Sequence, residues 1–289
     1  MHFGLSLFGY SPRFYADVAV AAEQEGFESV WMQEHLVFPA EIPGTYPYSE
    51  SGFPAVQSST ALFDPWIVHA AIAQATTTIR LGTNVFILPL RHPLVTARSL
   101  VTLDRISNGR VTLGVGVGWL EEEFVAAGVP FRERGRIADE VIPLLRRLWT
   151  DDIIDHHGDY YEFGPVAFQP KPRQRPLPIH VGGGSGPALR RAGRLGDGWI
   201  EIGAHDLDDL KAKLAVVEQH RRDAGRDHLP FEVTVNGKLV GGLDGLRRLE
   251  ELGIHRVVVA AEPVDGRMTP EGTTEWLKRF AGEVISALD

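Results

Sequence analysis

Short β-rich runs alternate with longer amphipathic runs along the whole chain, and this alternation is what most restricts its fold. The β-rich runs are His2–Leu7, Ser29–Gln33, Ile79–Ile87, Val111–Val117, Pro178–Val181, Gly198–Ile202, Phe231–Asn236 and Arg256–Ala260. Between them, apolar residues recur at helical spacing over Pro12–Glu25, Pro65–Thr76, Pro93–Ile106, Arg136–Trp149, Pro187–Leu195, Leu207–Ala224, Leu243–Leu252 and Thr273–Leu288. Strict alternation implies parallel strands, since each helix carries the chain back to the end where the next strand starts, by a right-handed crossover. Eight such units in 289 residues suit a closed (β/α)8 TIM barrel, typically ~250 residues long, better than a doubly wound open sheet. The expectation is an α/β fold with one barrel domain over 1–289.

Two stretches exceed an ordinary connection. Val37–Asp64, after the second strand, is rich in Pro, Gly, Ser and aromatic residues, including Tyr46, Tyr48 and Phe53. A loop longer than ~15 residues reads as a lid or a binding segment, so these three aromatics are candidate substrate contacts. Asp151–Arg175, before the fifth strand, reads as a small hairpin followed by an extended strap. Neither stretch has enough apolar residues for a second core.

Charge narrows the partners. Lys and Arg number 29 against 38 Asp and Glu, a net charge of −9 with both signs interspersed; this disfavours a nucleic-acid footprint or a basic membrane patch. No apolar run approaches the ~20 residues of a membrane span, there is no cysteine, and no charged-then-apolar leader follows Met1. The expected protein is soluble and cytoplasmic, and its partners are small molecules or another copy of itself.

The run Pro178-Ile-His-Val-Gly-Gly-Gly-Ser-Gly-Pro187 passes from a strand through bare backbone into a helix start. Glycines at Gly182, Gly183 and Gly184 let a phosphate approach backbone N–H groups without meeting a Cβ, and the helix dipole adds partial positive charge. Spacing rules out neighbouring chemistries. A dinucleotide fingerprint needs glycine at 187 or at 119, where Pro187 and Trp119 stand. A nucleophile elbow at Ser185 founders on the same proline, and no Gly-Lys-Ser/Thr follows for a P-loop. The loop reads as a binder of a phosphorylated cofactor or as a simple turn.

In a β/α barrel the chemistry gathers where strands run into their following loops. The second strand delivers Glu34-His35 there, a histidine beside a carboxylate. Two readings stand for His35: a proton relay working near neutrality, or a hydrogen-bonded residue of the rim. Trp119, after the fourth strand, packs over a flat ring or plugs the mouth. Glu121-Glu-Glu123 reads as acids favouring a helix dipole, His156-His157 as a solvated turn without metal-ligand spacing, and Asp104-Arg105-Ile-Ser-Asn-Gly109 as a helix end with an Asn-Gly C-cap.

The segments His92-Pro-Leu-Val-Thr-Ala-Arg-Ser-Leu-Val-Thr-Leu-Asp-Arg-Ile-Ser-Asn-Gly-Arg110, Leu113-Gly-Val-Gly-Val-Gly-Trp119 with Glu123-Phe124, Gly128-Val-Pro-Phe131, Pro178–Gly184 and Gly196-Asp-Gly-Trp199 occur in an order and spacing that resembles the luciferase-like monooxygenase family. The likeness covers nearly the whole chain and is closest to the branch assigned to coenzyme F420 rather than to flavin mononucleotide (FMN).

This resemblance implies a luciferase-like barrel, usually a dimer or higher oligomer and here expected as a homodimer, with the deazaflavin ring at the strand mouths. It implies a non-proline cis peptide at Asn84–Val85 against the back of the ring. Glu34 then falls at the ring's polar edge and His35 near its reactive carbon. Gly116 and Trp119 join the cofactor contacts, and Gly182, Gly183, Gly184 and Ser185 hold the ribityl phosphate. One departure matters: the sugar-phosphate dehydrogenase branch has a proton-donating glutamate where this chain has Trp119. Glucose 6-phosphate is therefore a poor expectation, and an apolar or aromatic substrate a better one. The function implied is F420-dependent hydride transfer, with a reduced-FMN-dependent monooxygenase and a non-catalytic flavin or deazaflavin carrier as rivals.

Overall fold

The computed structural model describes residues 1–43, 46, 54, 56–263 and 267–288. In chain order it holds β1 (His2–Ser6), α1 (Tyr15–Gln24), β2 (Ser29–Met32), α2 (Pro65–Ala75), β3 (Arg80–Thr83), β4 (Phe86–Ile87), α3 (Pro93–Ile106), β5 (Val111–Gly116), α4 (Glu121–Ala127) and α5 (Arg134–Thr150). Then follow β6 (Ile153–His157), β7 (Glu162–Ala167), β8 (Ile179–Gly182), α6 (Gly186–Leu195), β9 (Gly198–Ile200), α7 (Leu207–Asp223), β10 (Glu232–Asn236), α8 (Gly242–Glu251), β11 (Arg256–Ala260) and α9 (Pro270–Glu283).

The parallel strands run β3-β2-β1-β11-β10-β9-β8-β5, and β5 pairs back onto β3 through Leu81 with Val111 and Gly82 with Thr112. That pairing closes the eight-stranded barrel, so no main strand is left as an edge. The β-rich run Ile79–Ile87 divides in two. The N–H of Asn84 bonds the carbonyl of Met32 at 2.7 Å, the Asn84–Val85 peptide is cis, and β4 then pairs with β5 at Phe86 and Val115.

Local sequence sets the helix starts. Asp64 accepts from the N–H groups of Trp66 and Ile67 ahead of Pro65, and Thr269 accepts from Gly272 ahead of Pro270. Both are side-chain caps followed by a proline whose missing N–H costs nothing at that position. On α5, Ile137, Val141, Leu144, Leu145 and Leu148 are buried at helical spacing against the barrel.

Inside the barrel, Trp31 is buried near Ile200 and Val258. Below it, Arg256 is 1% exposed. Its Nε and Nη2 donate to both oxygens of Glu28 at 2.7 and 2.9 Å, and its Nη groups reach Glu232 at 3.1 Å and Thr234. A bidentate, doubly paired guanidinium is the form in which a charge survives such burial. Its neighbour Trp31 lies 5.4 Å away at the ring centroid.

The stretch 151–175 is a hairpin of β6 and β7 followed by an extended strap. Its turn is held by Glu140 of α5, which accepts the N–H groups of Asp159, Tyr160 and Tyr161, each at 3.0 Å, and pairs with His156 Nε2 at 2.9 Å. His156 and His157 therefore belong to a strand rather than to a turn, and only His157 is solvated. Among the described residues, no group of side chains has the make-up of a metal site, and no helix is long and apolar enough to cross a membrane.

Candidate active site

At the C-terminal ends of β1 and β2 the barrel opens into a cavity of about 880 Å³. Phe8, Tyr10, Tyr15, Phe38, Phe63 and Trp119 make its walls aromatic. Burial pushes the Tyr15 phenol up to about 12, so it stays neutral. Among the described lining residues there is no Lys or Arg, and the only ionisable groups besides tyrosine are Glu34 and His35.

His35 is held from three sides. Its Nδ1 lies 2.9 Å from Glu123 Oε2, its ring centroid is 4.8 Å from that of Phe38, and Trp119 meets it edge-on at 5.9 Å. Glu123 comes from the first turn of α4, and its side chain has 0% exposure. The other carboxylate oxygen accepts the N–H of Leu36 at 2.5 Å. No described residue hydrogen-bonds His35 Nε2. Trp119 continues the wall to Tyr46, at 4.9 Å between ring centroids, so it lines the cavity beside His35.

Glu34 reaches the same cavity. The resemblance places it at the edge of a bound ring, and its carboxylate is also engaged within the chain: it accepts the N–H of Ile87 at 2.8 Å and pairs with Arg91. Burial pushes this carboxyl up from the usual carboxylate value, against the pull of Arg91 and of the Ile87 hydrogen bond. Glu34 thus anchors the segment that follows the cis peptide.

That segment turns Val85 inward. A Cβ on Gly116 would stand 2.4 Å from one Val85 methyl, and a Cβ on Gly182 would stand 2.5 Å from the other. These two glycines, expected as cofactor contacts, seat Val85 and so bear on the mouth through it. Asn84 is fixed by a ladder across the rim: its Nδ2 donates to Asn236 Oδ1 at 3.1 Å, and Asn236 donates to the carbonyl of Glu201 at 2.8 Å.

The glycine loop joins β8 to α6. Gly183 has φ +123°, a conformation open to glycine alone; its N–H bonds the carbonyl of Ile200 at 3.2 Å and its carbonyl accepts Trp199 Nε1 at 2.9 Å. Beyond this pinned residue, no hydrogen bond of the described residues takes up the N–H groups of Gly184, Ser185 and Gly186. Ser185 and Gly186 are exposed at the start of the ten-residue α6. Lys213 of α7 stands alongside, its Nζ 3.5 Å from the place a Gly184 Cβ would take, and bonded to Asp209 at 2.7 Å. Open amides, a helix N-terminus and an adjacent ammonium fit a phosphate group.

Of the residues expected from sequence, Glu34, His35, Tyr46 and Trp119 meet at the cavity. Asn84, Val85, Gly116, Gly182, Gly183, Gly184 and Ser185 do not line it but follow the rim. The strand order β2-β3-β5-β8 sets Asn84–Val85 between His35 and the glycine loop. Tyr48 and Phe53 lie outside the described residues. Sequence reasoning assigned Glu123 only a helix-dipole role and passed over Lys213 and Arg91.

Comparison with known proteins agrees with this architecture. Residues 4–258 match the family model described as luciferase-like monooxygenase. An uncharacterized protein of Mycobacterium tuberculosis is 36% identical over 246 residues, covering 85% of this chain and 84% of that protein. An F420-dependent glucose-6-phosphate dehydrogenase of Amycolatopsis mediterranei is 34% identical over 209 residues, covering 71% of this chain and 58% of that one. Among solved structures, an F420-dependent secondary alcohol dehydrogenase in complex with an F420-acetone adduct superposes with a TM-score of 0.79 at 20% identity, covering 100% of this chain and 99% of that chain.

Proposed function

The chain belongs to the luciferase-like monooxygenase family, and from that premise we propose that it is a coenzyme F420-dependent oxidoreductase. It moves a hydride between the deazaflavin and an uncharged, apolar or aromatic small molecule. When bound, the deazaflavin supplies hydride exchange at its C5, chemistry that side chains lack. Gly184, Ser185 and Gly186, with Lys213, would hold its phosphate; Asn84–Val85, seated on Gly116 and Gly182, would back its ring. The relative from Amycolatopsis mediterranei supports the cofactor.

The observation that carries the reading is the placement of His35: a histidine held by a buried carboxylate, with Nε2 engaged by no described residue, in the wall of an aromatic cavity that has no described Lys or Arg. Such walls bind apolar surface and offer no cation to a sugar phosphate. When a substrate gives up a hydride, the proton on its heteroatom must also leave. Nε2 accepts it, and returns it when the reaction runs in reverse. Aromatic walls orient the substrate and exclude water.

Side-by-side fluorescence titrations with oxidised F420 and with FMN test the assignment. Clearly tighter F420 binding supports it. Equal or tighter FMN binding, with oxygen consumed on adding reduced FMN, replaces it with the monooxygenase reading.

A further inference from the structure

We infer that Glu123 is a positioning residue that fixes the tautomer of His35, placing the ring proton on Nδ1 and a lone pair on Nε2. The use of that lone pair in turnover rests on the function proposed above; the tautomer assignment does not. A carboxylate offers only acceptors. Glu123 Oε1 is taken by the Leu36 N–H at 2.5 Å and Oε2 faces His35 Nδ1 at 2.9 Å. With one oxygen held by a backbone donor, the other has a single partner among the described residues, and Nδ1 must supply the hydrogen. Phe38 and Trp119 flank the imidazole, which opposes a ring flip that would exchange the nitrogens.

The same geometry makes one substitution unusually informative. In Glu123→Gln the side chain keeps its shape, and Leu36 N–H still requires an acceptor, so the amide oxygen stays on Leu36. The amide NH2 is then turned toward Nδ1. A donor there forces Nδ1 to accept, and the proton moves to Nε2. The result is a folded protein with the histidine in the opposite tautomer, presenting a donor where the neutral wild-type ring presents an acceptor.

The test uses 15N NMR of the imidazoles at about pH 9, where an imidazole is neutral. Of the eleven histidines, His35 is assigned by the signals lost in His35→Gln. Wild type should show a pyrrole-type Nδ1 and a pyridine-type Nε2, and Glu123→Gln should invert that pattern. Turnover in Glu123→Gln should fall ~10²–10⁴-fold, the range of a positioned acid–base group, with F420 affinity within a few-fold of wild type. A pyrrole-type Nε2 in wild type, or an unchanged pattern in Glu123→Gln, overturns the inference. The wild-type spectrum decides on its own should the variant fold poorly. An inverted pattern with undiminished turnover keeps the positioning role of Glu123 but removes His35 from the proposed reaction.

Discussion

The imidazole of His35 and the carboxylate of Glu123 are 88 residues apart in the chain and 2.9 Å apart in the fold. One stands at the mouth of β2 and the other in the first turn of α4, so the barrel itself makes the pair. The acid that serves this histidine is therefore borne on a helix. At the end of β5, where a strand-borne acid would stand, the chain carries Trp119 as part of the cavity wall.

Replacing His35 with alanine should leave a folded protein whose turnover drops ~10²–10⁴-fold, because a positioned acid–base group contributes in that range. Binding should change little, since the ring contacts the chain through Glu123, Phe38 and Trp119. Steady-state rates on a turned-over substrate, set beside an F420 titration, provide the check. A loss below a few-fold makes His35 a residue of the rim.

Gly186→Asp should weaken F420 binding by about tenfold or more, through a negative charge placed where open amides and the α6 N-terminus attract one. A Cβ at Gly186 meets nothing within 4 Å, and aspartate suits the first turn of a helix. The melting temperature should hold or rise while affinity falls. Unchanged affinity would move the phosphate to another part of the rim.

Acid should begin to destabilise the protein well above the carboxylate range. His69 and His180 are fully enclosed, and burial lowers each from 6.5 to about 4. The unfolded chain takes up these protons near 6.5 and the folded protein does not, so stability is complete above 6.5 and is lost as pH falls toward 4. Urea unfolding as a function of pH should show this slope, shallower by one proton in His180→Phe. Equal slopes in the two proteins would mean that His180 is protonated in the native state.

Arg256→Ala should cost about 1–3 kcal/mol, because it leaves Glu28 and Glu232, both partly solvated, without the cation they share. Both acids are held below the usual carboxylate value in the intact protein: burial alone would raise them, and Arg256 overcomes that together with Ser29 and Arg80 for Glu28 and with His180 and Arg80 for Glu232. The affinity for F420 should be unaffected in protein that remains folded, since the cluster lies at the opposite end from the mouth. Chemical unfolding measures the first effect and titration the second.

The barrel was legible because its signals are local. Apolar spacing, prolines at helix starts and Asn108-Gly109 with positive φ each depend on a few neighbouring residues. The glycine loop was legible for the same reason, whereas the Asn84–Val85 peptide was placed only by the family resemblance. What stayed hidden depends on which strand mouths become neighbours. Glu123 looks like any acid in a first turn until β2 and α4 are set side by side, and Glu34 until Ile87 and Arg91 fold over it. Gly116 and Gly182 read as cofactor contacts, and nothing near them in sequence announces that each also makes room for a Val85 methyl. Lys213 lies in a helix full of charges, and only the crossover from β9 brings it to Gly184.

The plug of Trp31 and Arg256 gives the barrel a floor, and a vessel with a floor has a single doorway. Under the proposed hydride transfer, donor and acceptor would both pass the same rim, and whichever sits deeper would leave only after the shallower one has gone. The stacking of residues in the lower half of the barrel therefore bears on kinetics. It favours a compulsory order of arrival and departure, set by depth rather than by relative affinity.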